Sequence, residues 1–285
     1  MSRPTSQHPF IVNAALTGMV PTRAMSPHVP LSEDEIVSDA LACRAAGAAI
    51  VHLHVRDEAG RPCHRADRYA PLIRRIRDAS DLLICVSTSG RIFQDFERRA
   101  EVLFLEGDAK PDLASLTTGS FNFPTQASVN APDMIFRLAE TMVARGIKPE
   151  IEVFDTGMLN FAKYLDCKLA LPQPLYLNLL LGSLGGIPGG LRDLAYLIQD
   201  LPEASLWSAT GLGRFQLPMT TAALLEGGGV RVGLEDNLYY DAARLDLATN
   251  PRLVARVARL AAELERPLAT PDQDRQLLGL PDRRP

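Results

Sequence analysis

The sequence predicts an α/β fold, a single (β/α)8 barrel, because short apolar segments alternate eight times with longer segments of helical spacing. The length of 285 residues suits one barrel, which typically needs about 250 residues. We predict strands at 11–16, 50–54, 82–87, 113–117, 150–154, 175–181, 206–209 and 230–234. Polar residues stand at nearly all of the strand ends, as expected when a barrel gathers its site from every strand: Thr17, His54, Ser87, Thr117, Asp155, Asn178, Thr210 and Glu235.

An open, doubly wound sheet would show the same alternation. It is disfavoured because no G-x-G-x-x-G motif follows the first strand, where a dinucleotide-binding fold would carry one. Three helices have clear ends: one from the cap Ser32 to Gly47, one at 131–144 and one at 251–264. We treat 1–285 as one domain with a C-terminal tail from about residue 270, which contacts with another subunit would hold.

The amino-acid composition limits the classes of partner that the protein is expected to bind. Lys and Arg number 30 against 34 Asp and Glu, a net charge of −4 that lacks the basic footprint of a nucleic-acid-binding protein. No apolar run approaches the roughly 20 residues of a membrane span, and the first residues do not resemble a secretory signal. Four widely spaced cysteines are typical of reduced thiols. We therefore expect a cytoplasmic protein that binds small molecules and copies of itself.

Two histidines form the strongest local signal. The segment VHLHVRD at 51–57 alternates with period two, so His52 and His54 share one face of the second strand. Two imidazoles at a barrel mouth form a natural chelate for a divalent metal such as zinc, although two hydrogen-bonded core histidines would explain the same pattern. Glu235, at the end of the eighth strand, is the best candidate for a third ligand. Taken alone, it would be a surface carboxylate.

Charged residues accompany the histidine pair. Arg231 shares a strand face with Glu235, and a buried arginine needs an anionic partner. Glu152 points inward by alternation and could be the counter-ion of Arg231, a role that is compatible with a catalytic one. Asp236 is either a general base or a solvated loop carboxylate. Ser87 ends the third strand but lacks the G-x-S-x-G setting of a hydrolase nucleophile.

A glycine-rich segment, GSLGGIPGG at 182–190, follows the sixth strand. Glycines such as Gly185 and Gly186 let backbone N–H groups approach an anion, for example a phosphate of a bulky cofactor. A flexible loop without a ligand explains the segment equally well.

The chain resembles the beta-keto acid cleavage enzymes through motifs that run in order along almost its whole length. These are AALTG at 14–18, VHLHVR at 51–56, GRP at 60–62, VSTSG at 86–90, GSFNF at 119–123, EIEV at 150–153, RVGLEDN at 231–237 and RPLATP at 266–271. The resemblance implies a zinc-containing (β/α)8 barrel that forms a homo-oligomer, a tetramer.

The resemblance also implies roles for residues. It implies zinc ligands at His52, His54 and Glu235, and a base at Asp236 supported by Ser87, Glu152 and Arg231. The implied reaction converts a beta-keto acid and acetyl-CoA, the co-substrate, into acetoacetate and a new acyl-CoA. That chemistry fits a Lewis-acidic metal beside a carboxylate base.

One departure bears on the substrate. Family members that act on amino-bearing substrates have an acidic residue where this chain has Val20, which follows Met19. We therefore expect an uncharged, apolar-tailed beta-keto acid. Ser115 and Thr117 are further candidates for substrate contacts. The alternatives are another metal-dependent barrel, an aldolase or isomerase of a small hydroxylated or phosphorylated substrate, and a non-catalytic binding protein with a structural metal.

Overall fold

Eight parallel strands close into a barrel in the computed structural model, which describes residues 9–282. Each strand pairs with its neighbours in sequence, and the last pairs with the first. The predicted fold class is confirmed. The strands are β1 Val12–Ala15, β2 Ile50–Leu53, β3 Leu83–Val86, β4 Leu113–Thr117, β5 Lys148–Val153, β6 Tyr176–Leu181, β7 Leu206–Gly211 and β8 Gly229–Val232.

Helices follow the strands and surround the barrel. They are α1 Glu33–Ala46, α2 Ala66–Ala79, α3 Phe96–Ala100, α4 Pro132–Ala144, α5 Thr156–Leu169, α6 Leu191–Gln199, α7 Gln216–Leu225 and α8 Asn250–Glu263, with α9 Pro271–Leu277 after them. Two short hairpins interrupt the repeat. Val55–Arg56 pairs with Pro62–Cys63 after β2, and Phe121–Asn122 pairs with Ala127–Ser128 after β4.

All three helices with predicted ends are present; side chains cap α1 and α8, whereas α4 begins at Pro132 without a side-chain cap. The Ser32 hydroxyl accepts a hydrogen bond from the Glu35 N–H, and the Glu35 carboxylate accepts one from the Ser32 N–H. Gly47 ends α1 with a φ of 115°, a value that glycine adopts without strain. The helix predicted at 251–264 begins one residue earlier, since the Thr249 hydroxyl caps it.

Alternation along the strands separates two environments. Val51 and Leu53 of β2 face outward and pack with α2 residues such as Ile73 and Ile76, all fully buried. Burial of one such side chain stabilises the fold by about 1.5–3 kcal/mol. The other strand face points into the barrel, and His52 lies on it. The apolar shell outside thus leaves the barrel interior available for polar groups.

The eighth strand is shorter than predicted. It ends at Val232, and residues 233–236 form a turn instead of continuing to 234. The turn forms because the Asn237 N–H bonds back to the Gly233 carbonyl at 3.1 Å, while the Glu235 N–H reaches the Ala15 carbonyl at 3.2 Å. Glu235 is therefore held against β1 by its backbone.

The segment after residue 270, expected to be a tail, folds on its own chain. Helix α9 starts at the capping residue Thr270 and closes the N-terminal end of the barrel. Leu278 packs there with inward residues of the strands such as Ile50 and Leu113. Arg275 pairs with Asp112 at 2.9 Å. Within residues 9–282, no helix combines the length and the apolar character needed to cross a bilayer.

Asp274 of α9 gives the protein a pH-dependent stability. Its side chain is fully buried, its carboxylate oxygens have no hydrogen-bond partner in the described residues, and burial raises its pKa from 3.8 to about 8. Because the folded-state pKa is raised, the native protein holds a proton that the unfolded chain loses. The stability contribution is complete below about pH 4 and is lost as the pH rises through 8.

We predict that the free energy of unfolding of the wild type, relative to Asp274→Asn, falls between pH 5 and pH 8 by up to about 4 kcal/mol. Denaturant titrations at both pH values measure it. Asp272→Asn, on the exposed face of the same helix, is the control and should track the wild type. An equal wild-type-to-Asp274→Asn difference at the two pH values would contradict the prediction.

Candidate active site

His52 and His54 lie side by side at the C-terminal end of β2. Their Nε2 atoms are 3.2 Å apart, and both side chains are buried. Glu235 reaches the same point from the turn after β8, with Oε1 at 3.2 Å from His54 Nε2 and Oε2 at 3.8 Å from His52 Nε2. Three candidate ligand atoms thus converge from β2 and from the turn after β8, the two strands that pair with β1. A zinc site with three protein ligands and an open position requires such convergence.

The three side chains fit a metal ion. Glu235 Oε2 is buried and has no hydrogen-bond partner in the described residues, so one lone pair in the cluster is unused. The two facing Nε2 atoms of His52 and His54 have the chemistry to donate to a common cation. Burial disfavours the charged form of Glu235, but the charges of His54 and Arg231 hold its pKa well below its usual range. Glu235 is therefore ionised, as a carboxylate must be to bind a metal.

Glu150 contacts the imidazole of His52 through Nδ1, whereas Nε2 of the same ring faces His54. Its carboxylate lies in the barrel interior, fully buried, and contacts His52 Nδ1 at 3.2 Å. Asn13 donates to it at 2.9 Å, Asn178 at 3.3 Å and the Cys85 thiol at 2.8 Å. Burial alone would raise the Glu150 pKa, but the contact with His52, the charge of Arg231 and the hydrogen bond from Cys85 together lower it. A carboxylate behind a ligating histidine fixes the tautomer and the ring orientation.

A second group of metal-ligand atoms shares His52. It consists of His52 Nδ1, the Cys85 thiol and the Glu150 carboxylate, all buried. Hydrogen bonds within the barrel already occupy Glu150, and burial raises the Cys85 pKa well above its usual range, so the thiol keeps its proton. The group with His54 and Glu235 instead lines an open cavity. The geometry therefore favours His52, His54 and Glu235 as the candidate metal site.

Arg231 organises the acidic side of the site. Its guanidinium is 1% exposed and contacts Glu235 at 2.8 Å, Asp236 at 3.0 Å and Glu152 at 3.2 Å. A buried arginine is tolerated only with such partners. Thr117 donates to the other oxygen of Glu152 at 2.7 Å. The proposed pairing of Glu152 with Arg231 is thus present. Burial raises the pKa of Asp236 to about 6, against the pull of Arg231.

A close backbone approach positions Glu235. Gly18, in the loop after β1, has a φ of 69°, and a side chain there would lie 2.6 Å from the Glu235 Cγ. Gly18 is therefore needed for both its conformation and its lack of a side chain. The Asp236 carbonyl accepts from the Gly213 N–H at 2.8 Å, and Leu234 N–H donates to the Asn250 side chain at 2.7 Å. Several elements thus hold the turn that carries the acids.

A cavity of about 470 Å³ opens onto the candidate metal site. Its floor carries the two histidines, Glu152, Arg231 and the acids of the turn. Its walls come from the loops after β1, β3, β4 and β6 and include Met19, Val20, Ser87, Arg91, Phe121, Phe123 and Leu184. A mostly apolar cavity with charged groups converging at one end is typical of a small-molecule site.

The sequence profile of the beta-keto acid cleavage enzyme family matches residues 9–280. The chain belongs to this family. It is 38% identical over 273 residues to the 3-keto-5-aminohexanoate cleavage enzyme of Acetoanaerobium sticklandii, covering 95% of this chain and 98% of that protein. It is 39% identical over 278 residues to the 3-oxoadipate:acetyl-CoA acetyltransferase of Cupriavidus necator, covering 96% and 95%. The resemblance stated from the motifs is confirmed.

A solved structure shares the fold. The apo structure of ObcA superimposes with a TM-score of 0.82 at 22% identity, covering 90% of this chain and 66% of that one. At this identity the likeness supports the barrel architecture alone.

Most residues predicted for the site come together in this family member. Ser87, Thr117 and Val20 line the cavity with the histidines and the acids. Ser115 does not line the cavity, since its hydroxyl accepts from the Thr88 N–H at 3.2 Å. Gly185 and Gly186 also lie outside the lining. A side chain at Gly185 would lie 2.2 Å from the Asn122 carbonyl, so close packing explains this glycine.

Three site features escaped the sequence reasoning. Glu150 could have been found, because it alternates with Glu152 on β5 and so shares its inward face. Asn13 and Asn178 bond to Glu150 across the barrel, and no sequence pattern links them. Arg91 lines the cavity from a loop whose course the sequence did not indicate.

We predict that His54→Ala lowers zinc affinity far more than Cys85→Ala, because only His54 belongs to the favoured ligand group. Glu150→Gln should lower affinity by roughly 10–100-fold, as expected when a ligating histidine loses its orienting partner. Zinc competition titrations with a chromophoric chelator measure all three. If Cys85→Ala lost zinc and His54→Ala kept it, the metal would lie deeper in the barrel. Glu106→Gln, which changes an exposed surface residue, serves as the control.

Proposed function

We propose that the protein is a zinc-dependent beta-keto acid cleavage enzyme that converts a beta-keto acid and acetyl-CoA into acetoacetate and a new acyl-CoA. The observation that carries this proposal is the convergence of a three-ligand metal group, an arginine and Asp236 on one cavity. Several relatives are named for acetyl-CoA-dependent reactions, including those on 3-oxoadipate and 3-dehydrocarnitine. The proposal extends that chemistry to this chain.

His52, His54 and Glu235 would hold the zinc ion, and Glu150 would keep His52 in the ligating orientation. The ion would supply Lewis-acid polarisation of the beta-keto acid, which acidifies the carbon between its two carbonyl groups. Ser87 also lines the cavity, and its hydroxyl would donate a hydrogen bond to a substrate oxygen.

Asp236 would remove the proton from that carbon. Its carboxylate follows the ligand Glu235 directly and lines the cavity. Arg231 holds both Asp236 oxygens, Nε at 3.0 Å from Oδ2 and Nη2 at 3.3 Å from Oδ1, so the base has a defined orientation. Burial raises the Asp236 pKa to about 6, which strengthens it as a proton acceptor relative to an ordinary aspartate.

The deprotonated carbon would attack the thioester carbonyl of acetyl-CoA, forming a carbon–carbon bond and releasing the CoA thiolate. The thiolate would then add to the ketone carbon of the original beta-keto acid. Cleavage of the bond between that ketone carbon and the carbon that attacked acetyl-CoA yields the new acyl-CoA and acetoacetate. The attacking carbon, now part of acetoacetate, recovers a proton from Asp236. Arg231, braced by Glu152, faces the negative charge that develops on oxygen in these steps.

The substrate tail would lie against the wall formed by Met19, Val20, Phe121 and Leu184. Val20 replaces the acidic residue expected beside an ammonium group, so we propose a tail without a cationic group. The expectation of an uncharged, apolar tail is based only on the residues of this wall. Arg91 lies on the wall as well.

We propose a cytoplasmic homo-oligomer, a tetramer as the family resemblance implies. Acetyl-CoA would enter beside residues 182–184, which line the cavity mouth, while Gly185 and Gly186 lie behind them. No nucleic acid or membrane partner is proposed.

We predict that Asp236→Asn lowers acetoacetate formation from a beta-keto acid and acetyl-CoA by roughly 10²–10⁴-fold, because the amide cannot take the proton. The measurement is a coupled acetoacetate and free-thiol assay on zinc-loaded protein. The zinc content of the variant should equal that of the wild type, which separates loss of the base from loss of the metal. Turnover without acetyl-CoA would instead favour an aldolase or isomerase.

We predict that Val20→Glu raises kcat/KM for an ammonium-bearing beta-keto acid by roughly 10-fold or more, because the new carboxylate supplies its counter-ion. Glutamine has nearly the same size as glutamate but no charge, so Val20→Gln serves as the matched control. Equal gains for the two variants would show that size, not charge, governs this wall.

A further inference from the structure

Arg91 brings a positive charge to the wall of the cavity. It follows β3 in the loop that carries Ser87 and Ser89, and it lines the same cavity as the metal-facing histidines. Glu152, Glu235 and Asp236 lie near enough for their charges to act on it, yet all three are ion-paired with Arg231. In the described part of the chain, no carboxylate forms an ion pair with Arg91.

Phe123 holds the guanidinium in place. The Arg91 Cζ atom lies 3.1 Å from the centre of the Phe123 ring, so one face of the guanidinium is stacked. Stacking uses the face and leaves the N–H groups at the edge free to bind an oxyanion in two-pronged fashion. Phe123 in turn packs on Phe121 and Phe154. The charge is therefore oriented by a rigid aromatic group.

Burial makes the lack of a partner costly. Arg91 is half-buried, and burial lowers its pKa even though three carboxylates oppose the change. A desolvated guanidinium without a counter-ion is unfavourable in the free protein, and an anion that enters the cavity removes that penalty.

Three anionic groups of the reactants could meet Arg91. The carboxylate next to the reacting carbon would lie at the metal end of the cavity, because the ion would polarise the carbonyl groups on both sides of that carbon. The phosphates of CoA are separated from its sulfur by the whole pantetheine arm, whereas Arg91 shares a cavity of about 470 Å³ with the metal-facing residues. The remaining group is an anion at the far end of the beta-keto acid.

We propose that Arg91 is a specificity-determining residue that binds a second carboxylate, so that the substrate class of this site is a beta-keto dicarboxylic acid. This inference rests on the proposed function and replaces the uncharged tail expected from Val20. Val20 and Met19 then contact the methylene groups between the two ends of the substrate, and Arg91 binds its terminus.

The test compares two beta-keto acids of equal length, 3-oxoadipate and 3-oxohexanoate, on the zinc-loaded holoenzyme with acetyl-CoA. We expect the wild type to favour the dicarboxylate in kcat/KM. Arg91→Gln should lower kcat/KM for the dicarboxylate by roughly 10–100-fold and change it for 3-oxohexanoate by less than about 3-fold. Arg91→Lys, which keeps the charge but not the planar fork, should fall between.

Arg137→Gln is the matched control. Arg137 also stacks on a phenylalanine, with its Cζ atom 3.9 Å from the centre of the Phe96 ring, but it does not line the cavity. This variant should keep the wild-type preference. Turnover of 3-oxohexanoate by Arg91→Gln shows that the variant folds.

The outcomes separate the two proposals. Equal effects of Arg91→Gln on both acids, or a rise in KM for acetyl-CoA alone, would overturn the role of Arg91 and leave the proposed reaction standing. Silence of the wild type with both acids would refute the reaction. Calorimetric binding of adipate against hexanoate then still tests Arg91, since the wild type should prefer adipate and Arg91→Gln should not.

Discussion

The charge inside the barrel is the constraint on which the rest of the site depends. Four largely buried carboxylates, those of Glu150, Glu152, Glu235 and Asp236, surround the buried guanidinium of Arg231 and a pair of histidines. An excess of buried negative charge is unfavourable unless protons or a cation offset it. A divalent ion at the His52, His54 and Glu235 group offsets it directly. The same excess of negative charge explains why Glu152, Glu235 and Asp236 all contact Arg231.

Chemically similar carboxylates acquire different tasks from their surroundings. Glu150 receives hydrogen bonds from four sides and remains an ionised support for His52. Glu235 has an oxygen without a partner, which suits a metal ligand. Burial raises the Asp236 pKa, which suits a base. Glu235 and Asp236 lie on one turn, which is held by β1 and by the Gly213 and Asn250 contacts. The backbone therefore fixes the distance between the proposed ligand and the proposed base.

Chemistry and substrate selection lie on different parts of the fold. The groups proposed for catalysis stand on strands or on a tightly bonded turn, whereas Val20, Arg91 and Phe123 stand on loops. Loops tolerate change better than barrel strands. A barrel that keeps one reaction while accepting different tails is consistent with this division, and the relatives named for 3-keto-5-aminohexanoate and 3-oxoadipate differ in their tails.

The sequence by itself determined the barrel, the strand order and the inward face of β2, because periodicity along one strand is local information. His52, His54, Glu152 and Arg231 were identifiable for that reason. Glu150 was equally visible by alternation but had no partner in sequence, and its bonds to Asn13, Asn178 and Cys85 exist only across the closed barrel. The turn at 233–236 and the position of Arg91 were decided by tertiary structure alone. They depend on backbone contacts with β1 and on stacking against Phe123, which join segments far apart along the chain.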